Sequence, residues 1–563
     1  MLSSKEKISI LSIIFSLIMI GIFFPNEKKE ISDKNTNSLR SDYAKVVITW
    51  NPPNNAPTIS SGPAENPAST SISPTNVGSD VTFQATAIDG DGDNYYLAIC
   101  KTNAITANNN APPTCTGGDW CVSGSIASAS QASCATTTLA AWDTSNPWYA
   151  FVCDYHASDS KCSSSNQGSG DSGSPFEVNH PPVDFSNYYG SPTPLDPGDD
   201  INLWATVYNS GLGYSDPDSD SVNLFFCKTQ SANSSGCTSA QWCNQTECGA
   251  ECSCQSSAPT PSEGTQDFYV YVFDEHGLGA SNNGALGTFT VNNVAPSVSN
   301  ITINGGVDID LSDGGEGTSG NKNINITADV TDNNGCDDIV SAAVRAYPTG
   351  IGSGGCTSQN NNNCYYNISC TKGSCSGSVN QAYTCTVNFK YHADPTDAGS
   401  VREAETWKAT VAALDEGASG SAESASGVEL QSFVSLNVDN QIDYGQLASG
   451  QMANGDSLVT TTKVYASGNV GIDVNISGTN MTGAGTINVG QQKYATSSIA
   501  YSSATALSGT ATEFELNVEK PTTTIALPWK NVYWGLQVPG GVSAGSYSGT
   551  NTFSAVKGET ADW

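Results

Sequence analysis

Two sets of side chains in this 563-residue chain have types and spacings suited to chemistry: aspartates alternating in short turns, and cysteines gathered in clusters of six. Asp89, Asp91 and Asp93 alternate in DGDGDN, and Asp216, Asp218 and Asp220 alternate in DPDSDS. Asp332, Asp337 and Asp338 make a looser third version. Carboxylates so spaced on a tight turn present hard oxygens that calcium can gather, and a cation between them relieves their repulsion. Neither triplet continues into the glycine and distant glutamate of an EF-hand loop. The competing reading is a solvated turn, because Asp and Gly are what a tight turn requires. Calcium at Asp89, Asp91, Asp93, Asp216, Asp218 and Asp220 is the expectation, with affinity in the roughly 0.1–1 mM range of extracellular modules.

The first cysteine cluster is Cys100, Cys115, Cys121, Cys134, Cys153 and Cys162; the second is Cys227, Cys237, Cys243, Cys248, Cys252 and Cys254; the third is Cys336, Cys356, Cys364, Cys370, Cys375 and Cys385. CGAECSC, from Cys248 to Cys254, is dense enough for a thiolate zinc or copper site. Even counts in every cluster, behind an apolar leader, favour disulfides formed outside the cytosol. That leader runs from Ile8 to Phe24 behind Lys5 and Lys7, and ends in Ile22-Phe23-Phe24-Pro25 without the small residues that cleavage needs. It reads as an uncleaved signal anchor, with a stalk over 26–53 and everything beyond on the outer side of one membrane; if cleaved, the protein is secreted.

The formal net charge is -33 and only 13% of residues are charged. Nucleic acid is excluded as a partner, since its binding rests on basic residues that neutralise phosphates. The content of Thr, Val and Tyr is that of folded material and not of an acidic disordered tail.

The elements that must position these residues repeat along the chain. Asn54-Asn55-Ala56-Pro57, Asn179-His180-Pro181-Pro182 and Asn292-Asn293-Val294-Ala295-Pro296 are variants of one linker phrase, in which proline ends a ladder and stiffens the passage onward. VTFQATAIDGDGDNYYLAICKT (Val81 to Thr102) parallels INLWATVYNSGLGYSDPDSDSVNLFFCKT (Ile201 to Thr229), and NINITADVTDNNGCDDIVSAAVRAY (Asn323 to Tyr347) is a looser copy. Period-two alternation between Gly, Asn, Asp and Pro turns predicts antiparallel strands. Aligning the late strands puts Cys153 opposite Phe273, and the second copy lacks a counterpart of Cys162 as well, so Cys153 is expected to pair with Cys162. The remaining four of the first cluster correspond to Cys227, Cys237, Cys243 and one of Cys248, Cys252 and Cys254, which leaves two for a local bridge and the other pairings open.

The Asn/Pro linkers, the D-x-D-x-D turns and the late strands ending in Asp (AFVCDYH, VYVFDEHG, VAALDEG) resemble tandem immunoglobulin-like repeats of prokaryotic surface proteins, the PKD and cadherin-like classes nearest. The resemblance covers about Asn54 to Gln431 and implies an all-β fold of antiparallel sandwiches at 54–180, 181–294 and 295–431. The segment 432–563 has no cysteine and is similar to terminal sandwich modules of other surface proteins, with Val470, Ile472, Val474 and Ile476 alternating as an inward face.

Gly170-Asp171-Ser172-Gly173-Ser174-Pro175 looks like the nucleophile segment of chymotrypsin-like proteases. It closes a low-complexity tract, and the only histidines are His156, His180, His276 and His392, two of them at the same repeat position. No catalysis is expected. Sequons at Asn233, Asn244, Asn300, Asn325, Asn367, Asn475 and Asn480 are frequent enough in so Asn-, Ser- and Thr-rich a chain to arise by chance. Trp120, Trp142, Trp148, Trp204 and Trp242 are read as core or disulfide packing before sugar platforms. The expected protein is a non-enzymatic structural or adhesive stalk at the cell surface, its partners surface proteins or glycans. A lattice or filament subunit and a carbohydrate-binding protein are the rivals.

Overall fold

The first sheet of each of three successive sandwiches is built around one alternating strand. In Asp80–Ile88, Val81, Phe83, Ala85 and Ala87 are buried while the residues between them face outward. Ile201, Leu203 and Ala205 of Asp200–Thr206, and Ile324, Ile326, Ala328 and Val330 of Lys322–Thr331, repeat the pattern. Each buried Val, Ile, Leu or Phe of this kind contributes roughly 1.5–3 kcal/mol. These strands pair antiparallel with Thr58–Glu65, Ser186–Ser191 and Ser297–Ile303 on one edge, and with Gln131–Thr137, Glu251–Ser257 and Asn380–Phe389 on the other. The facing sheets are centred on Tyr95–Cys100, Val222–Cys227 and Ser341–Pro348, paired with Tyr149–Asp154, Gly264–Asp274 and Trp407–Leu414. The computed structural model describes residues 53–208, 213–311 and 320–563. The expected apolar helix at Ile8–Phe24 and most of the stalk lie outside them; among the described residues no helix is long and apolar enough to cross a membrane.

The fourth sandwich sets a five-stranded sheet, ordered Leu436–Val438, Thr460–Ala466, Trp529–Leu536, Gln492–Ala495, Thr505–Ala506, against the three strands Thr512–Val518, Ile472–Gly478 and Asn551–Lys557. Val470, Ile472, Val474 and Ile476 are fully buried there with Trp534. Each sandwich has its own core, centred on Trp148, Phe226, Trp407 and Trp534 in turn. The first three sandwiches thus share one Ig-like strand plan, and the fourth is a sandwich with a different strand order.

All eighteen cysteines are paired in nine disulfides. Cys100–Cys115 and Cys227–Cys237 occupy matching places, and Cys121–Cys134 and Cys243–Cys254 each join the two sheets of their sandwich. Cys153 is bonded to Cys162, and Cys248 to Cys252 as a local bridge. The repeated Cys-Lys-Thr phrase has a packing cause. Lys101 lies over Trp120 at 4.4 Å and Lys228 over Trp242 at 4.1 Å, and each tryptophan precedes a disulfide cysteine. Both indoles donate to backbone, Trp120 to Pro147 O at 3.1 Å and Trp242 to Asp267 O at 2.9 Å. The third sandwich is stapled differently, by Cys336–Cys375, Cys356–Cys364 and Cys370–Cys385. Nine disulfides without a free cysteine mark an extracellular-type protein.

Candidate functional site

Of the acidic turns singled out for chemistry, the second and third lie at junctions between sandwiches. In the first three, the turn between the two central strands opens with a buried aspartate that holds it. Asp89 Oδ1 accepts from the N–H of Asp91 (2.8 Å) and Asp93 (3.2 Å); Asp216 Oδ1 accepts from Asp218 (2.8 Å) and Asp220 (3.4 Å); Asp332 Oδ1 accepts from Asn334 (2.8 Å). The aspartates ending the late strands do likewise: Asp274 Oδ1 takes the N–H of His276 and Leu278, both at 2.9 Å, and Asp415 Oδ1 takes those of Gly417 (2.7 Å) and Ala418. The second oxygens of Asp89, Asp216, Asp332 and Asp415 are buried with no hydrogen-bond partner among the described residues.

Where these turns meet, carboxylates cluster. Asp216, Asp218 and Asp220 each bring an oxygen within 4.8 Å of the others, and so do Asp332, Asp338 and Asp415. Asp89, Asp91 and Asp93 form no such group among the described residues, because Asp91 is turned to solvent. Asp337 is exposed too, 3.9 Å from Lys372 Nζ. Burial pushes the Asp216 carboxyl up to about 7 and, joined by the negative charges of Glu263, Asp332, Asp415 and Glu416, the Asp338 carboxyl up to about 6. Asp220, Asp274 and Asp332 are also raised, by burial first.

The linkers into the second and third sandwiches are tied into the turn of the sandwich that follows. At the first junction the His180 N–H donates to the Asp218 carboxylate, and the His180 ring places Nδ1 2.9 Å from Asp218 Oδ1 and Nε2 3.1 Å from Trp142 O. Thr144 Oγ1 donates to the same carboxylate, and Asn179 Nδ2 reaches Asp274 Oδ2 at 3.0 Å. At the second junction Val294 N–H donates to Asn334 Oδ1 at 2.7 Å, while Asn334 Nδ2 returns to Ser262 O and Asn292 O, both at 2.8 Å. Gly420 is required here: a Cβ would come within 1.7 Å of Pro296 O.

The third junction keeps the same device with the opposite charge. Phe433 N–H donates to Asn469 Oδ1 at 2.6 Å, and Asn469 Nδ2 returns to Gln431 O at 3.0 Å. A Cβ on Gly468 would lie 1.9 Å from Phe433 O. Beside it, Lys520 reaches out of the fourth sandwich to Asp394 Oδ1 (3.0 Å) and His392 O (2.6 Å) of the third, and Arg402 Nε holds the other Asp394 oxygen at 2.9 Å. Burial, then the nearby Lys520 charge, pushes His392 down to about 4, and burial lowers Lys520 as well. Neither Lys520 nor Asn469 was a sequence candidate. Lys520 is one of five lysines in the segment 432–563, and nothing in its sequence neighbourhood sets it apart from the others.

The protease-like segment packs against Trp148. Ser174 Oγ accepts from Trp148 N–H at 2.8 Å and Gln167 Nε2 reaches Trp148 O at 3.1 Å, so the serine-rich tract folds as a wall against the buried Trp148. Trp120 and Trp142 pack edge-on against each other at 4.7 Å, and Trp242 packs on Phe289 at 5.1 Å. Trp204 stacks on the exposed Tyr189 at 6.4 Å.

No protein-family model matches the chain, and no curated protein matches it. Among solved structures, a marsupial T cell receptor aligns at 7% identity over 62% of this chain and 98% of its own, with a TM-score of 0.25. An ICAM-5 ectodomain fragment aligns at 9% identity over 86% of this chain and 96% of its own, also at 0.25. The FN1-FN3 domains of chicken CNTN1 align at 8% identity over 62% of this chain and 95% of theirs, at 0.18. Likeness at that level carries no argument about activity or partner. The Ig-like architecture rests on the sheets and their pairing.

Proposed function

We propose that the protein is a non-enzymatic structural or adhesive component of the cell surface, anchored through Ile8–Phe24 and built as a stalk of docked sandwiches. The observation that carries this reading is the recurrence of one joint: at three successive junctions a linker N–H is held by an Asp or Asn side chain of the next sandwich. Joints so fixed transmit force and orientation along a chain of domains, which independent modules on loose linkers would not do. Electron microscopy of the purified protein tests it. Isolated rods of constant outline support the stalk, regular sheets or fibres support a lattice or filament subunit, and beads on a flexible string contradict both. Detergent fractionation of the host's membranes tests the anchor.

A second reading concerns calcium at Asp216, Asp218 and Asp220, and the orphaned Asp216 oxygen favours it. A bound calcium would be held by these three carboxylates, neutralising charge that burial penalises. Melting of the full chain should rise with calcium by mass action, and Asp216→Asn should lessen the rise. The carbohydrate reading rests on the Tyr189–Trp204 stack alone, and a glycan array with Trp204→Ala decides it.

A further inference from the structure

The loosest copy of the acidic turn is the one the fold completes. Asp332 is fully buried and Asp415 is 2% exposed, and Asp338 closes the group; the three carboxylates come from the turn after Lys322–Thr331 and from the end of Trp407–Leu414. One oxygen of each lies within 4.8 Å of the others, a span one cation can bridge at Ca–O distances of about 2.3–2.6 Å. The Oδ2 atoms of Asp332, Asp338 and Asp415 are all buried without a hydrogen-bond partner among the described residues. Their other duties are met elsewhere, since Asp332 Oδ1 and Asp415 Oδ1 already cap their own turns. A buried polar atom without a partner costs about 1–3 kcal/mol, and more when charged, so three at one point need a compensating charge.

Among the described residues no cationic side chain is paired with this group. The charges bearing most on Asp338 are Glu263, Asp332, Asp415 and Glu416, all negative, and Lys372 is directed instead to Asp337 and Cys336 O. Glu263 belongs to the second sandwich, one residue beyond Ser262, whose carbonyl accepts from Asn334 of the third. Cys336 within the turn is bonded to Cys375, which fixes the turn on its own sandwich.

We propose that Asp332, Asp338 and Asp415 form a binding site for a hard divalent cation of the calcium class, placed so that the bound ion draws Glu263 of the second sandwich toward the third. The site is separate from the one at Asp216, Asp218 and Asp220, and it stands or falls independently of that reading. Oxygen-only donors exclude the softer metals that prefer nitrogen or sulfur. The Asn334 clamp on Val294 is adjacent, so occupancy tightens the joint that Asn334 already makes.

The test is the number of calcium ions bound per chain, by equilibrium dialysis of the purified full-length protein after chelator treatment, at about 2 mM calcium. Asp415→Asn and Asp338→Asn should each remove one bound ion relative to wild type, whereas Asp216→Asn should leave this site filled. Glu263→Gln should weaken it by about three- to tenfold, as loss of one nearby charge does. Asp338 is only partly buried, so Asp338→Asn keeps the test valid if Asp415→Asn fails to fold with its nine disulfides. If Asp338→Asn binds as many ions as wild type, the proposal is wrong. Loss in Asp216→Asn alone would overturn it while sparing the other site, and no binding by wild type would remove both.

Discussion

At the junctions before the second and third sandwiches the linker meets buried carboxylates, and at the junction before the fourth it meets a buried lysine. The mechanical part is common to all three, a linker N–H held by Asp218, Asn334 or Asn469. The electrostatic part differs. Asp216 and Asp338 are held above their usual range by burial, whereas Asp394 is neutralised by Lys520 and Arg402 within 3.0 Å. The third joint pairs its buried carboxylate with two cations, whereas the first two each hold buried carboxylate oxygens without a hydrogen-bond partner among the described residues. The difference also follows the staples: the third joint leads into a sandwich without cysteine.

The largest effect should come from the staple that fixes the second joint. Replacing Cys336 and Cys375 by serine opens a link spanning 39 residues, worth about 4 kcal/mol on the chain-entropy model. Calorimetry should show the third sandwich melting earlier with the fourth little changed. Next, Lys520→Met should cost about 3 kcal/mol, the low end for breaking a buried pair, because Arg402 still faces Asp394. Its signature is separate melting of the third and fourth sandwiches, with no effect on the first joint.

The two kinds of joint should respond to acid in opposite directions. Asp216 titrates near 7 when folded against 3.8 in the unfolded chain, so the folded form holds more protons between these values. In chelator, stability at the first joint therefore falls as pH rises from about 4 to 7. His392 titrates near 4 when folded against 6.5 unfolded, so there stability falls as pH drops from 6.5 to 4. Each slope is at most about 1.4 kcal/mol per pH unit. Hydrogen exchange on either side of the two joints, measured at pH 4.5 and 7 in chelator, should show the crossing; parallel trends would refute the assignment of charge. The smallest effect is Asn334→Ala, which frees the Val294 N–H at a cost of about 1–2 kcal/mol and should speed proteolysis in the Asn292–Pro296 linker.

The strands were legible because alternation in VTFQATA, INLWATV and NINITADV maps directly onto an inward face, and the linkers because proline punctuates them. The Cys153–Cys162 bond could be argued by comparing copies, as both members are missing together in the second. The acidic clusters were only half legible. DGDGDN carries the cleanest alternation, yet Asp91 faces solvent, while Asp332 and Asp338 gain their third carboxylate from Asp415, some 80 residues on in sequence. A turn pattern reports local spacing and not the strand end that packs beside it. Lys520 and Asp394 lie in different sandwiches, and no periodicity within either segment pairs them.

The most direct test of the two kinds of joint is amide hydrogen exchange at three linker positions, His180, Val294 and Phe433, in chelator and in about 2 mM calcium. Calcium should slow exchange at His180 and Val294 and leave Phe433 unchanged, because only the first two are held by turns whose buried carboxylates keep an oxygen without a hydrogen-bond partner among the described residues. Equal slowing at all three, or no change at His180 and Val294, would contradict the account.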